Sequence, residues 1–390
     1  MKKVGIITFY HNSHNYGGLL QAYALCQAIK SCGYDAEQIT FNRKGSTKGD
    51  SQSKLKFSVS GIKAYLRNTK CQLLTKFLQK KFDERMAGFH EFRCSIPHSK
   101  EFTSSTIAES NELYDIFVTG SDQVWNPMYL LPEYLLGFVN GHPKFAYAVS
   151  LSQKSLTSEQ ESLFATCVAD YVGVSLRESD NAKQFCEIYP NTKWVLDPTL
   201  LLTQEEWDAI ASPRLIKEKY LFCYFIGLNK DSRKMAKQYA KAHGLTLVSI
   251  PHFNNVWTRA DSHFGDRKLY KVSPNDWISL IKNAECVFTD SFHATVFSNI
   301  FKKDFFVFNR EHTGIMNNRI FSLLGLFERT ERFIDTTEKM SLTHLDSLGS
   351  VDYTEEMNAF SNMRRESWAY LEDCLQKSLL EIKQKEEGNG

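Results

Sequence analysis

The 390-residue chain carries 47 basic against 45 acidic side chains, and a net charge of +2 excludes a dedicated nucleic-acid binder. An apolar share of 42% and a charged share of 24% are those of a soluble globular protein, and the length suits two domains of about 150 to 200 residues. Nine scattered cysteines without a Cys-x-x-Cys pair point to free thiols in a reducing compartment, which excludes a disulfide-stapled fold.

The basic start and short apolar run "VGIITF" (4–9) read as a first strand, because the run is too short for a signal peptide. No stretch reaches the roughly 18 apolar residues of a membrane span, so a cytoplasmic protein is expected. The polar loop "YHNSHNYGG" (10–18) leads into a helix at 19–33 with Leu19, Ala22, Cys26 and Ile29 on one face and Gly33 at its end. A strand at 34–41 follows, the opening of a parallel sheet. Further strands are expected at 114–120, 144–150, 171–177 and 193–197, with helices at 157–169 and 179–189. Asp197-Pro198 forces an extended turn and Thr203 with Glu206 forms a capping box, so residues 196–213 read as the crossing into a second half. There, strands at 220–227, 245–250, 285–290 and 304–308 alternate with helices at 231–244, 273–284 and 293–303.

The expectation is an α/β protein of two Rossmann-like domains facing a cleft, a glycosyltransferase-B-like architecture. The N-terminal domain takes residues 1–200 and the C-terminal domain 201–350. A helix in 351–390 returns to pack on the first domain. Within an expected helical insertion at about 43–95, residues 43–81 hold eleven Lys or Arg and one acid, Asp50. Two readings stand for this stretch. It lies on an anionic membrane, at about 1 kcal/mol per basic residue near the lipid, or it is a solvated insertion kept soluble by its charge.

Ligands of open α/β sheets bind beyond the carboxyl ends of the strands, and four polar clusters fall there. The first holds His11, Asn12, Asn15, Tyr16 and Gly17 before a helix start whose N–H groups attract anions or hydroxyls. Its spacing is not GxGxxG, and a plain polar turn remains open. The second, "VTGSDQVWNP", offers Ser121, Asp122, Gln123, Trp125 and Asn126. A flat aromatic flanked by amides suits a sugar ring, whereas Ser121 or Asp122 as a helix cap explains the same residues structurally. Asp122 is also a candidate base toward an acceptor hydroxyl. The third is Arg177, either a bidentate clamp for carboxylate or phosphate or a surface partner of Glu178. The fourth is "TDSFHATVF" (289–297), where Ser291 caps a helix and His293 falls in its first turn. That place favours a neutral ring able to accept a proton, and a packed structural histidine is the competing reading. Arg319 is a second candidate anion clamp. No metal-ligand, Walker, Gly-x-Ser-x-Gly or Cys–His nucleophile pattern occurs, so no metal or cofactor is expected.

Taken together, "GIITFYHNSHNYGGLLQAYAL", "YDIFVTGSDQVWNP", "VLDPTLLLT" and "TDSFHATVFSNIFKKDFFVF", in this order over residues 4–308, resemble the polysaccharide pyruvyl transferase family. The resemblance implies a glycosyltransferase-B-like fold and transfer of the pyruvyl group of phosphoenolpyruvate to two sugar hydroxyls, forming a cyclic ketal and releasing phosphate. It implies His293 as the acid/base group and Arg177 as a donor-anion clamp, with Ser291 beside them. Arg319 stands where relatives often carry lysine. His11, Asn12, Asn15, Tyr16, Gly17, Ser121, Gln123, Trp125 and Asn126 fall on the acceptor side, with Asp122 as a catalytic candidate. Gly18 and Ala294 depart from the family's usual Ala and Gly, and "AVSLSQ" lacks a glycine common after that strand. Phosphoenolpyruvate is then a substrate and no cofactor is implied. The expected partner is a sugar of a capsular or exopolysaccharide, or its polyprenyl-diphosphate-linked precursor, met at the inner face of the plasma membrane. Two other readings are a nucleotide-sugar-dependent glycosyltransferase and a non-catalytic carbohydrate-binding protein of the same fold.

Overall fold

Short β-branched and aromatic runs, each closed by a polar exit, build two parallel sheets. The computed structural model describes residues 1–43, 78–153, 155–251, 259–310, 314–337, 341–354 and 358–388. In the first sheet, β1 (Lys3–Ile7), β2 (Asp35–Phe41), β3 (His98–Phe102), β4 (Ile116–Thr119), β5 (Lys144–Val149), β6 (Gly173–Leu176) and β7 (Lys193–Trp194) take the order β3-β2-β1-β4-β5-β6-β7. In the second, β8 (Tyr220–Tyr224), β9 (Thr246–Ser249), β10 (Arg267–Lys268), β11 (Cys286–Thr289), β12 (Asp304–Phe308) and β13 (Phe333–Ile334) take the order β10-β9-β8-β11-β12-β13. Their pairings are parallel, and the central strands β4, β5 and β11 are buried along their whole length because helices cover both faces. The α/β reading of the sequence is therefore correct. β3, "HSKEF", was not expected: it pairs on one side only, stays largely exposed, and carries little apolar signal.

Strand order reverses between β1 and β4 in one sheet and between β8 and β11 in the other. At such a switch point the neighbouring connections leave toward opposite faces and open a crevice. The polar exits of β1, β4, β8 and β11 border these two crevices.

A continuous hydrophobic core joins the halves. Tyr16, at the start of the helix Tyr16–Ser31, stacks on Trp277 of the helix Pro274–Lys282 at 5.6 Å with planes 10° apart, and its hydroxyl donates to Val272 O at 2.9 Å. The helix Asn358–Gly388 crosses back to the first sheet, where the Tyr370 hydroxyl donates to Ala146 O at 2.9 Å and Cys374 lies against Gly173. Most of the basic stretch, residues 44–77, lies outside the described residues; residues 78–95 are helical. From that helix the buried Arg85 reaches across to the second half and donates to Tyr270 O at 2.6 Å, Pro251 O at 3.0 Å and Leu269 O at 3.3 Å. No helix among the described residues is long and apolar enough to cross a membrane.

Removing the Arg85 guanidinium orphans three carbonyls at the junction. Arg85→Met is expected to cost about 2 to 4 kcal/mol of unfolding free energy, read by urea denaturation.

Candidate active site

Asp197 is the centre of a buried charge cluster shared by the two halves. It leaves β7, caps the turn Pro198–Leu200, and has no exposed side-chain surface. Its Oδ1 accepts from Thr199 N at 3.0 Å and Thr199 Oγ1 at 2.6 Å. Its Oδ2 accepts from Arg177 Nη1 at 2.7 Å and lies 3.5 Å from His293 Nε2, a charge-pairing distance longer than a good hydrogen bond. Burial alone opposes ionisation, yet His293, Arg177 and the Thr199 hydroxyl hold the carboxyl well below the usual range.

Each partner is fixed in turn. The Ser291 side chain caps the helix Phe292–Ile300, which places His293 in the first turn. The ring lies against Gly17 of the other half, and a Cβ on Gly17 would collide with it. Arg177, at the exit of β6, is buried: its Nη2 meets Asp122 Oδ1 at 3.5 Å, its Nε lies 3.9 Å from Glu178, and its guanidinium stacks 4.6 Å from the Phe292 centroid. The Arg177–Glu178 pair is thus an interior one and not the surface pair considered from the sequence. Burial pushes the Glu178 carboxyl up, opposed by Arg177, Arg319 and a 2.5 Å bond from Ser150 Oγ. Arg319, on the helix Gly314–Leu326, is buried as well, and with the Gln123 amide oxygen turned toward it, Nη1 donates at 2.8 Å and Nη2 at 3.2 Å. Burial and the nearby Arg177 charge push its guanidinium down to about 10.

A cavity of about 540 Å³ opens beside this cluster, lined by His11, Asn12, Asn15, Asp122 and Gln123 together with Phe9, Asn42, Arg43 and Tyr134. His11 faces Glu101 at 2.9 Å, and burial pushes its imidazole down against the pull of that carboxylate. Asn15 caps the first helix by accepting from Gly17 N at 3.0 Å. Asp122 holds φ 67° and ψ −168°, a region that costs a non-glycine residue of order 1–3 kcal/mol.

Five residues read as acceptor contacts stand elsewhere. Trp125 is fully buried among Phe164, Tyr171 and Phe185 and donates its indole N–H to Tyr134 O, so it offers no face to a sugar. Tyr16 is used up in the contact between the halves, and Gly17 makes room for His293. Ser121 is buried and donates to Ala148 O; neither it nor Asp122 caps the short turn that follows. Asn126 is buried and its Oδ1 accepts from Met128 N.

In the second half, Asp290 Oδ1 and Oδ2 accept from Ile226 N and Gly227 N, each at 2.7 Å. The backbone donors beyond β8 that suit an anion are thereby already filled by a carboxylate, and Gly227 is needed because a Cβ there would come within 2.8 Å of Asp290 Oδ2. Among the described residues no group of three or more His, Cys, Asp or Glu is placed to hold a metal ion.

The sequence matches the family described as polysaccharide pyruvyl transferase over residues 15–312, most of the chain. The chain belongs to the polysaccharide pyruvyl transferase family. The match spans the first helix, the β4 exit, Arg177, Asp197 and His293; Arg319 lies just past its end. No curated protein matches this pyruvyl transferase family member. Among solved structures it is similar to UDP-N-acetylglucosamine 2-epimerase from Rickettsia bellii, at 11% identity over 97% of this chain and 96% of that one, with a TM-score of 0.54. It is also similar to UDP-GlcNAc 2-epimerase from Methanocaldococcus jannaschii, at 12% identity over 91% and 94%, with a TM-score of 0.46. At such identity the first likeness shows a shared fold, the glycosyltransferase-B-like pair of parallel sheets, and nothing of the chemistry.

Sequence reasoning missed Asp197 as a site residue, although a buried Asp after a strand and before Pro-Thr was its available signal. It also passed over Asp290 and Arg43. Asp197→Asn leaves Arg177 short of its nearest charge partner and is expected to cost about 3 kcal/mol near pH 7. Because the folded carboxyl is depressed, that advantage of the native chain is present above the unfolded value near 3.9 and shrinks as pH falls below it, which urea titrations of both chains at several pH values measure. Gly17→Ala is expected to lower stability by about 1 to 3 kcal/mol in the same assay, and Gly18→Ala, where the nearest atom is 3.3 Å away, by clearly less.

Proposed function

We propose that the protein transfers the pyruvyl group of phosphoenolpyruvate to two hydroxyls of a sugar in a surface polysaccharide or its lipid-linked precursor, releasing phosphate. The observation that carries this reading is the meeting of two buried guanidiniums, Arg177 and Arg319, with His293 beside a sugar-sized cavity. The donor carries a carboxylate and a phosphate, so it calls for two cations in a partly dry site. Its enol carbon C2 becomes electrophilic when C3 is protonated, and His293 is the group assigned to that proton. One acceptor hydroxyl adds to C2, the phosphate leaves with its bridging oxygen, and the second hydroxyl closes the ketal. Of the two hydroxyl protons, one balances the proton given to C3 and the other departs with the phosphate. Asp122, which lines the cavity and touches Arg177, is assigned to the acceptor hydroxyl.

Asp122, Glu178 and Asp197 stand against two arginines here, which would crowd negative charge beside an anionic donor. The burial that moves Glu178 toward its neutral form relieves part of that crowding. Two observations weigh against the other readings. Asp290 fills the backbone donors that a nucleotide diphosphate would use, and the aromatic platform for a simple sugar-binding role, Trp125, is in the core. On this reading the enzyme works in the cytoplasm, and the basic composition of residues 43–81 suits an anionic leaflet bearing a polyprenyl-linked acceptor.

The test is phosphate release and ketal formation, followed by mass spectrometry, with phosphoenolpyruvate and a panel of aryl and lipid-linked glycosides. Turnover is expected with at least one acceptor, and His293→Ala should lower kcat by about 10²- to 10⁴-fold. Absence of both products across the panel, with a nucleotide sugar consumed instead, sinks the proposal.

A further inference from the structure

Arg43 emerges from the carboxyl end of β2 into the wall of the 540 Å³ cavity. Its guanidinium lies 4.4 Å from the Phe9 ring centroid and 5.8 Å from that of Tyr134. Those two rings brace each other edge to face at 4.6 Å, so the cation rests on a rigid shelf. A guanidinium stacked on aromatic faces keeps its N–H edges for a ligand in the plane of the fork. Among the described residues Arg43 makes no hydrogen bond and no ion pair. Three buried guanidiniums are matched, Arg85 by three carbonyls, Arg177 by carboxylates and Arg233 by Asp261 at 3.0 Å, whereas Arg43 is half-buried. The other charges of the cavity are matched too. His11 has Glu101 at 2.9 Å, and Asp122 has Arg177 at 3.5 Å. Among the described residues the cavity therefore carries one uncompensated positive charge, held against the aromatic shelf.

We propose that Arg43 is a specificity determinant of the acceptor site and that the acceptor is anionic, with its acidic group bound bidentately by this guanidinium. The shared chemistry is a planar or tetrahedral oxyanion. It has two sources, an acidic substituent on the sugar or the diphosphate that joins the sugar to its carrier. The inference rests on the acceptor reading of the cavity, and its test is a binding measurement that needs no donor.

Three probes with one sugar are titrated calorimetrically into the full chain and into Arg43→Met and Arg43→Lys: an aryl β-glucoside, the matching aryl β-glucuronide, and glucose joined through a diphosphate to a short isoprenol. The native chain is expected to bind at least one anionic probe roughly ten- to hundredfold more tightly than the neutral one, the range for a charge-assisted contact. Arg43→Met should erase that preference, and Arg43→Lys should keep part of it. Preference for the glucuronide alone assigns the charge to the sugar, and preference for the diphosphate alone assigns it to the carrier. Equal binding of neutral and anionic probes by the native chain, no binding of either anionic probe, or a preference that survives Arg43→Met overturns the proposal. Failure of the transferase reading appears separately, as absent phosphate release from the native chain.

Discussion

One carboxylate oxygen, Asp197 Oδ2, faces a guanidinium from one half of the molecule and an imidazole from the other. A buried carboxylate is tolerated only when its charge is matched nearby, since an ion deprived of water and of partners costs several kcal/mol. Here the matching groups sit on different sheets, so the requirement to neutralise Asp197 also fixes how the halves meet. The remaining constraints follow from it. Phe292 must pack flat against Arg177, the second residue of the first helix, Gly17, must lack a side chain, and Ser291 must start its helix where the ring can reach the carboxylate.

Much of the fold was legible in the sequence because parallel strands buried on both faces leave short, dense apolar runs, and their polar exits punctuate them. The runs that became β1, β4, β5, β8, β11 and β12 are of this kind. Edge strand β3 escaped because a strand paired on one side needs few apolar residues. His293 and Arg177 were legible for a related reason, as polar residues placed where a strand ends. What local pattern does not carry is the direction a side chain faces after the chain turns. An aromatic ring beside amides looks the same whether it meets a sugar or a core. The short turn Gln123–Trp125 swings the indole inward onto Phe164 and Phe185, and nothing within that segment records it. Asp197 was hidden differently: Asp-Pro already has a sufficient local explanation as a turn, which masks its distant partners.

In the second half the protein itself fills a place suited to an anion. Its sheet retains the switch point between β8 and β11 and the backbone donors beyond β8. Asp290 occupies those donors from within, and the Arg310 Nε–H donates to the Asp290 carbonyl oxygen at 3.0 Å. The Asp290 carboxylate is thereby part of the scaffold.

The contact between Gly17 and His293 has a consequence for timing. The ring belongs to one half, while the surface it rests on and the carboxylate that faces it belong to the other. Any hinge motion that parts the sheets to admit a substrate takes the imidazole away from both at once. In the proposed reaction, where His293 is the proton donor, that donor is assembled by closure and dismantled by opening, and an open cleft holds an incomplete set of reacting groups. For the phosphate-ester donor proposed above, protection from wasteful hydrolysis then needs no separate lid, because it is built into the seam itself.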